Sequence, residues 1–285
     1  MNIILKLLPF IIILLYGCSE NKFHTPASQL GHIDIILDNE SFIQLTRDTF
    51  MTHTFSYVFY DTSEYGNLPS YDFFMVGQEN FIHFSESKGF YQNQSGGMNL
   101  VFQTLKPDMQ DSLKIAWKNF SSYALDENLS SGPTHALYEV FPLLNWNNID
   151  KPRVIPFLSS YSAQTFKNMQ LDYNGADMKS FLSAQIGPWI RRVLFRKITS
   201  VYLNATSREA ELLRAALLVS GYKADGDKFT HYGGSADIYI NIIEDESMKR
   251  INKFSVALST TALFEKTYNR LKVSLNGDSG WIIYE

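Results

Sequence analysis

The sequence predicts an α+β protein made of repeated βαβββ-type units, whose curved mixed sheets each carry a helix on one side. The first observation behind this is a recurrence. A strand, a helix and then several strands begin at His32, again at Met98 and again at Lys197. The second is alternation of apolar and polar residues at period two in the segments between the helices, as half-buried strands require. The third is negative: no short-period repeat of the solenoid kind is present. With 285 residues, 45% of them hydrophobic and 14% aromatic, the chain can bury an ordinary core, and its length suits two compact units.

The N-terminus reads as a targeting segment. Lys6 precedes an apolar run from Leu7 to Leu15, interrupted by Pro9, and Tyr16-Gly17-Cys18 follows. A positive start, a short apolar stretch and a small residue before the cut are features of a secretory signal, and the run is short of the roughly 20 residues a spanning helix needs. Cys18 is the one cysteine of the chain. If it is spent there, the mature protein has no intramolecular disulfide, thiolate metal site or cysteine nucleophile. A net charge of −4 gives no reason to expect a nucleic-acid partner.

The elements follow in order. Ser19 to Leu30 is polar and reads as a tether. In the strand Gly31 to Leu37, alternation puts His32, Asp34 and Ile36 on one face and Ile33, Ile35 and Leu37 on the other. Asp38-Asn39 offers an N-cap for a helix over Glu40 to Phe50. Phe55 to Tyr60 is a second strand, Asp61 to Ser70 a loop, and Tyr71 to Val76 and Asn80 to Ser85 a hairpin around Gly77-Gln78-Glu79. Phe81 and His83 share one face of its second strand, Ile82 and Phe84 the other.

Met98 to Thr104 opens the next unit as a strand, and Asp108 to Tyr123 is its helix. Asp126 to Thr134 reads as a polar loop, with strands His135 to Leu144 and Arg153 to Tyr161 after it. Ser162 to Val193 is an irregular helical excursion broken at Gly187-Pro188. The third unit has a strand at Lys197 to Leu203 and a helix at Ser207 to Gly221, capped by Thr206 or Ser207 and stopped by Gly221. Short strands follow at Phe229 to Tyr232, Asp237 to Ile243 and Phe254 to Leu258. Val273 to Tyr284 is predicted as a strand pair turning at Asn276-Gly277. The organisation is thus 1–17 signal, 18–30 tether, 31–165 N-terminal region, 166–195 connector and 196–285 C-terminal region.

Two resemblances add to this. Leu-Tyr-Gly-Cys18 resembles the lipobox of bacterial lipoproteins, which implies that Cys18 is acylated, becomes the mature N-terminus and holds the protein on an envelope membrane, facing periplasm or exterior. Gly31-His32-Ile-Asp-Ile-Ile-Leu is similar to the opening "D-H-hydrophobic" strand of the glyoxalase-like branch of the vicinal oxygen chelate superfamily. Phe74-Met-Val-Gly77-Gln-Glu-Asn-Phe-Ile-His83-Phe is similar to its fourth strand, and Val154 to Tyr161 resembles a strand found downstream. This resemblance implies a cupped sheet with a divalent metal on its first and fourth strands.

Carried onto this sequence, the metal ligands fall on His32 and His83, where neutral imidazoles suit zinc, nickel or iron. The family's usual fourth-strand glutamate is absent. The second pair of ligands has no clear counterpart: Met98 to Thr104 offers Asn99 and Gln103, and the downstream strand offers Ser159 or Ser160. His135 and Glu139, four apart on one strand, share a face and are candidates to supply the missing contacts. Glu86 is a candidate general base at the mouth of the cup, and Tyr161 a candidate donor to a bound anion. The aromatic residues of Phe55 to Tyr60 and Tyr71 to Phe74 are core or a ligand groove. Two readings stay open: a metal-free lipoprotein binding a small ligand in the cup, or a metal-dependent enzyme acting on a small oxygenated substrate. The incomplete ligand set favours the first, since catalytic zinc generally uses three protein ligands.

Overall fold

Alternation in the first strand sets the layers of the molecule. Ile33, Ile35 and Leu37 are fully buried in the main core, whereas His32 and Asp34 turn to the opposite side of the sheet. The computed structural model describes residues 28–65, 67–104, 106–131, 136–142, 154–168, 170–171, 178–244 and 252–285. The predicted signal, Cys18, His24, His135 and most of the tether lie outside the described residues.

The first unit comprises β1 (Ser28–Leu37), α1 (Asn39–Thr46), β2 (Tyr57–Tyr65), β3 (Leu68–Val76) and β4 (Phe81–Glu86). Asp38 caps α1 by accepting from the Ser41 amide at 2.9 Å, and a π-helical turn, Met51–Phe55, leads into β2. The second unit comprises β5 (Met98–Thr104), α2 (Gln110–Phe120), β6 (Leu125–Ser131), β7 (Ala136–Pro142) and β8 (Val154–Tyr161). In both units the first strand lies parallel to the fourth. The two are joined by antiparallel pairing of β1 with β5, giving one eight-stranded sheet in the order β2-β3-β4-β1-β5-β8-β7-β6.

Between β8 and the third unit lie α3 (Ala163–Asn168), α4 (Met178–Ile186) and a 3₁₀ segment, Gly187–Arg192. The third unit comprises β9 (Phe195–Thr206), α5 (Ser207–Val219), β10 (Tyr222–Asp225), β11 (Lys228–His231) and β12 (Asp237–Ile243), again with first and fourth strands parallel. A long hairpin, β13 (Asn252–Tyr268) and β14 (Leu271–Tyr284), completes a six-stranded sheet ordered β10-β11-β12-β9-β13-β14. The α+β reading with repeated βαβββ units in mixed sheets therefore describes the molecule.

Helices α1 and α5 lie between the sheets. α1 packs on β4 of one sheet and β13 of the other, and α5 on β8 of one and β9 and β12 of the other. One continuous core spans both. Thr206 and Glu209 form a capping box at the start of α5, while the other Glu209 carboxylate oxygen accepts from the Val154 amide at 3.0 Å. The β3–β4 turn docks on β9: the Gln78 and Glu79 amides donate to the Phe195 and Arg196 carbonyls, and Asn80 Oδ1 accepts from the Ile198 amide at 2.9 Å. A Cβ on Gly77 would stand 2.7 Å from the Phe195 ring, so this approach needs glycine.

Several boundaries differ from those predicted. Ser28 to Leu30 belongs to β1 rather than to a tether, because β5 extends to pair with it. The Asp61 to Ser70 loop is mostly the closing half of the β2–β3 ladder. The polar loop from Asp126 is the edge strand β6; an edge needs no apolar alternation, so its composition hid it. β10 escaped the sequence reading. β14 is one strand, and the chain reverses at Asn269-Arg270, not at Asn276-Gly277, which lies beside an irregularity in the β13–β14 ladder.

Candidate functional site

On the side of the eight-stranded sheet away from α1 and α5, strand registers assemble rows of side chains. One row runs Phe59, Phe74, His83, Asp34, Asn99 across β2, β3, β4, β1 and β5. Beside it runs Tyr57, Val76, Phe81, His32, Val101, and on the other side Asp61, Asp72, Ser85, Ile36. His32 and His83 therefore share one face, as diagonal neighbours on adjacent strands.

What joins them is a carboxylate. Asp34 Oδ1 lies 3.2 Å from His32 Nε2 and 3.1 Å from His83 Nδ1, and Asp34 Oδ2 accepts from Asn99 Nδ2 at 3.1 Å. The second nitrogen of His83 donates to Asp72 Oδ1 at 2.9 Å, and Asp72 also accepts from Ser70 and Ser85. Aromatic rings cover the imidazoles: Phe74 stacks on His83 at 4.2 Å and Phe81 on His32 at 4.1 Å, and Phe59 stacks on the far side of Phe74 at 4.3 Å.

Burial disfavours every charge in this cluster, so the partners decide its state. For His83, burial acts to lower the pKa, but the charge and hydrogen bond of Asp34 and then the contacts of Asp72 outweigh it and push the imidazole up to about 9. For Asp34, burial acts to raise the pKa; the charges of His32 and His83 and their hydrogen bonds overcome it and hold the carboxyl well below the usual carboxylate range. At neutral pH His83 is thus an imidazolium clamped between two carboxylates.

This donor set does not fit a divalent metal. A ligating imidazole needs a free lone pair, and both His83 nitrogens are spent on carboxylates. Both Asp34 oxygens are likewise engaged. Among the described residues no group of three or more His, Cys, Asp or Glu side chains is arranged to hold a metal ion. The structure thus brings His32 and His83 together, but around Asp34.

The two imidazole-stacked phenylalanines form one wall of a groove of about 980 Å³. Tyr57, Phe59, Phe74, Val76 and Phe81 line it from the sheet, Tyr161 from β8, and Leu182 and Ile186 from α4. Phe166, Phe181, Leu182 and Ile190 form a second core with Val76, against which Phe74, Phe81 and Tyr161 pack. α3, α4 and the 3₁₀ segment therefore cover part of this face.

The other predicted residues fall as follows. Tyr161 lines the groove and stacks on Phe181 at 4.6 Å. Glu86 is a correction: it alternates to the helix side of β4, where its carboxylate is buried and accepts from Asn39 at the start of α1, so it is not at the groove mouth. Glu139 pairs in register with Ser159 on β8, and its proposed companion His135 lies outside the described residues. His53 is on the exposed side of the π-helical turn, and His231 accepts from the loop that follows β11. Sequence reasoning did not single out Asp34 or Asp72. Asp34 was legible as the residue two beyond His32 on the same face; Asp72 needed the β3–β4 register.

No family model matches the chain, and no curated protein matches it. Among solved structures, a triple mutant of 4-hydroxymandelate synthase from Streptomyces coelicolor is similar over 56% of this chain and 54% of that one, at 12% identity and a TM-score of 0.32. This chain therefore spans about half of that protein's length. A variant of methylmalonyl-CoA epimerase from the same organism, in complex with 2-nitronate-propionyl-CoA, is similar over 48% of this chain and 99% of that one, at 14% identity and a TM-score of 0.29. Likenesses this distant carry no argument about function; the strand order and the side chains do.

Proposed function

We propose that this protein binds a small, largely apolar ligand in the aromatic groove, and that it does so as a lipoprotein held on the bacterial envelope through Cys18. The observation that carries the binding reading is the groove itself: about 980 Å³, walled by Tyr57, Phe59, Phe74 and Phe81 and covered by α4. Pockets of this order and character accept flat or branched small molecules. The charged cluster behind the wall stiffens it, because Phe74 and Phe81 lean on imidazoles whose orientations are set by Asp34. The anchoring reading rests on the Lys6 to Cys18 sequence pattern.

Calorimetric titration of the chain from Ser19 onward with aromatic and alicyclic compounds tests the binding reading. Saturable heat that is lost in Phe59→Ala and Phe81→Ala variants supports it. Binding that survives both substitutions places the ligand elsewhere and sinks this site. For the anchor, full-length protein should partition with membranes, and a Cys18→Ser variant should not.

A further inference from the structure

A separate cavity of about 310 Å³ shares no lining residue with the aromatic groove. It lies where the units meet. Gln29 lines it from β1, Glu79 and Asn80 from the β3–β4 turn, Lys179 from α4, Lys197 from β9 and Ser235 from the loop between β11 and β12.

Its polar groups are donors without acceptors. Asn80 is 5% exposed; its Oδ1 accepts from the Ile198 amide at 2.9 Å, while its Nδ2 has no acceptor among the described residues. Leaving a buried amide donor unpaired costs more than a typical hydrogen bond gains, so this one calls for an acceptor in the cavity it lines. Ser235 Oγ accepts from the Leu30 amide at 3.1 Å and from the Tyr222 hydroxyl at 3.4 Å, which leaves its own hydrogen to donate. Lys179 is exposed, has no carboxylate partner among the described residues and adds further donors.

The charge points the same way. Glu79 is the one carboxylate among the described residues that line the cavity, and it is already shared. Its Oε1 accepts from Arg196 Nε at 2.8 Å, and its Oε2 lies 3.4 Å from Lys197 Nζ. Lys179, Lys197 and Arg196 against Glu79 leave two positive charges in excess. Water answers an amide donor but not that charge.

We infer that this cavity receives a phosphate monoester or inorganic phosphate. Such a group carries about −1.5 to −2 charges near pH 7 and strong acceptor oxygens, so it matches both the excess charge and the set of donors. A carboxylate would leave one charge unanswered. The phosphate is either free in solution or the headgroup of an anionic lipid. The cavity borders Gln29, next to the start of β1 at Ser28, and Cys18 stands ten residues earlier, a reach of at most about 36 Å. The lipid source rests on the anchoring reading above; the free source does not.

The test uses the chain from Ser19 onward, which keeps every described element and carries no lipid of its own. Inorganic phosphate is titrated by calorimetry in chloride buffer. Phosphatidylcholine vesicles with and without phosphatidic acid, a lipid phosphate monoester, are used for cosedimentation. Lys179→Met changes an exposed side chain. Asn80→Asp keeps an oxygen for the Ile198 amide and replaces the donor by negative charge. Saturable phosphate binding that weakens about tenfold or more in both variants, and is unchanged in Lys253→Ala on the far sheet face, supports a site for free phosphate. If inorganic phosphate does not bind, but phosphatidic acid vesicles retain the native chain and not Lys179→Met, the phosphate is a lipid headgroup. Should Asn80→Asp fail to fold, Lys179→Met decides alone. Binding of neither probe, binding that survives the substitutions, or an equal loss in Lys253→Ala overturns the phosphate site and leaves the groove reading standing.

Discussion

The two sheets share a βαβββ frame and turn comparable faces away from α1 and α5, yet the faces are built by opposite rules. On the six-stranded sheet a row of half-exposed rings and cations faces solvent. Tyr239 and Tyr202 stack at 4.4 Å, Lys228 lies over Tyr239, and Lys253 lies over both Tyr202 and Trp281. Its charges are answered at the surface: Lys228 pairs with Asp237 at 2.8 Å and Lys272 with Glu265 at 2.6 Å. On the eight-stranded sheet the corresponding face carries Asp34, His83 and Asp72, and α3 and α4 help to cover it. The difference is the excursion after β8. Once a face is covered, each charge must find a partner or be lost, whereas an exposed face can hold charges that contribute little. The covered face should therefore be energetically brittle and the open one tolerant.

The sharpest way to break this contrast is to remove the shared carboxylate. Asp34→Asn leaves His32 and His83 without their common partner, and should cost about 3–5 kcal/mol in urea denaturation, the range for breaking a buried pair from one side. An Asp34→Leu/Asp72→Leu/His83→Leu triple variant should recover part of that loss, since it removes both buried carboxylates together with the imidazolium between them. A triple variant no more stable than Asp34→Asn would argue against a buried ion cluster.

Next in size is pH. His83 has a folded pKa raised to about 9 from 6.5, so its stabilisation is complete below 6.5 and disappears as pH rises through 9. That swing is on the order of 3 kcal/mol. Asp34 acts in the opposite sense: its carboxyl is held low, so its contribution is present above about pH 4 and fades on acidification. The denaturation midpoint should hold between these limits and decline from pH 6.5 to 9, and a His83→Leu variant should lack the alkaline decline.

Gly77→Ala should cost about 1–3 kcal/mol by forcing a methyl against Phe195, which is fully buried and stacked on Phe55. Calorimetric melting checks it, and a wild-type melting temperature would mean the β3–β4 turn does not seat on β9 as described. Smallest is Lys253→Ala on the open face, under about 1 kcal/mol despite two ring contacts. A larger loss would erase the distinction between the two faces.

Much of this frame was legible from period-two alternation. His32 with Asp34, and Phe81 with His83, were placed on their faces by spacing alone, and the three unit starts at His32, Met98 and Lys197 fall within β1, at β5 and within β9. What stayed hidden depends on neighbours far along the chain. β6 is polar because an edge strand need not alternate, and Asn276-Gly277 carries turn chemistry yet sits within β14. Asp72 meets His83 only through the β3–β4 register. The two histidines looked like half of a metal site because sequence shows which residues share a face, but not which lone pairs a third residue has already taken.

The central claim is that His83 is a clamped imidazolium and not a metal ligand. Long-range ¹H–¹⁵N NMR of the histidine rings tests it most directly, on the chain from Ser19 onward with His83→Gln for assignment. Both His83 nitrogens should be protonated at pH 7.5, titrate near 9, and stay unmoved by zinc. A neutral His83 ring at pH 7.5 with one nitrogen shifting on zinc addition would contradict the account and return the site to metal chemistry.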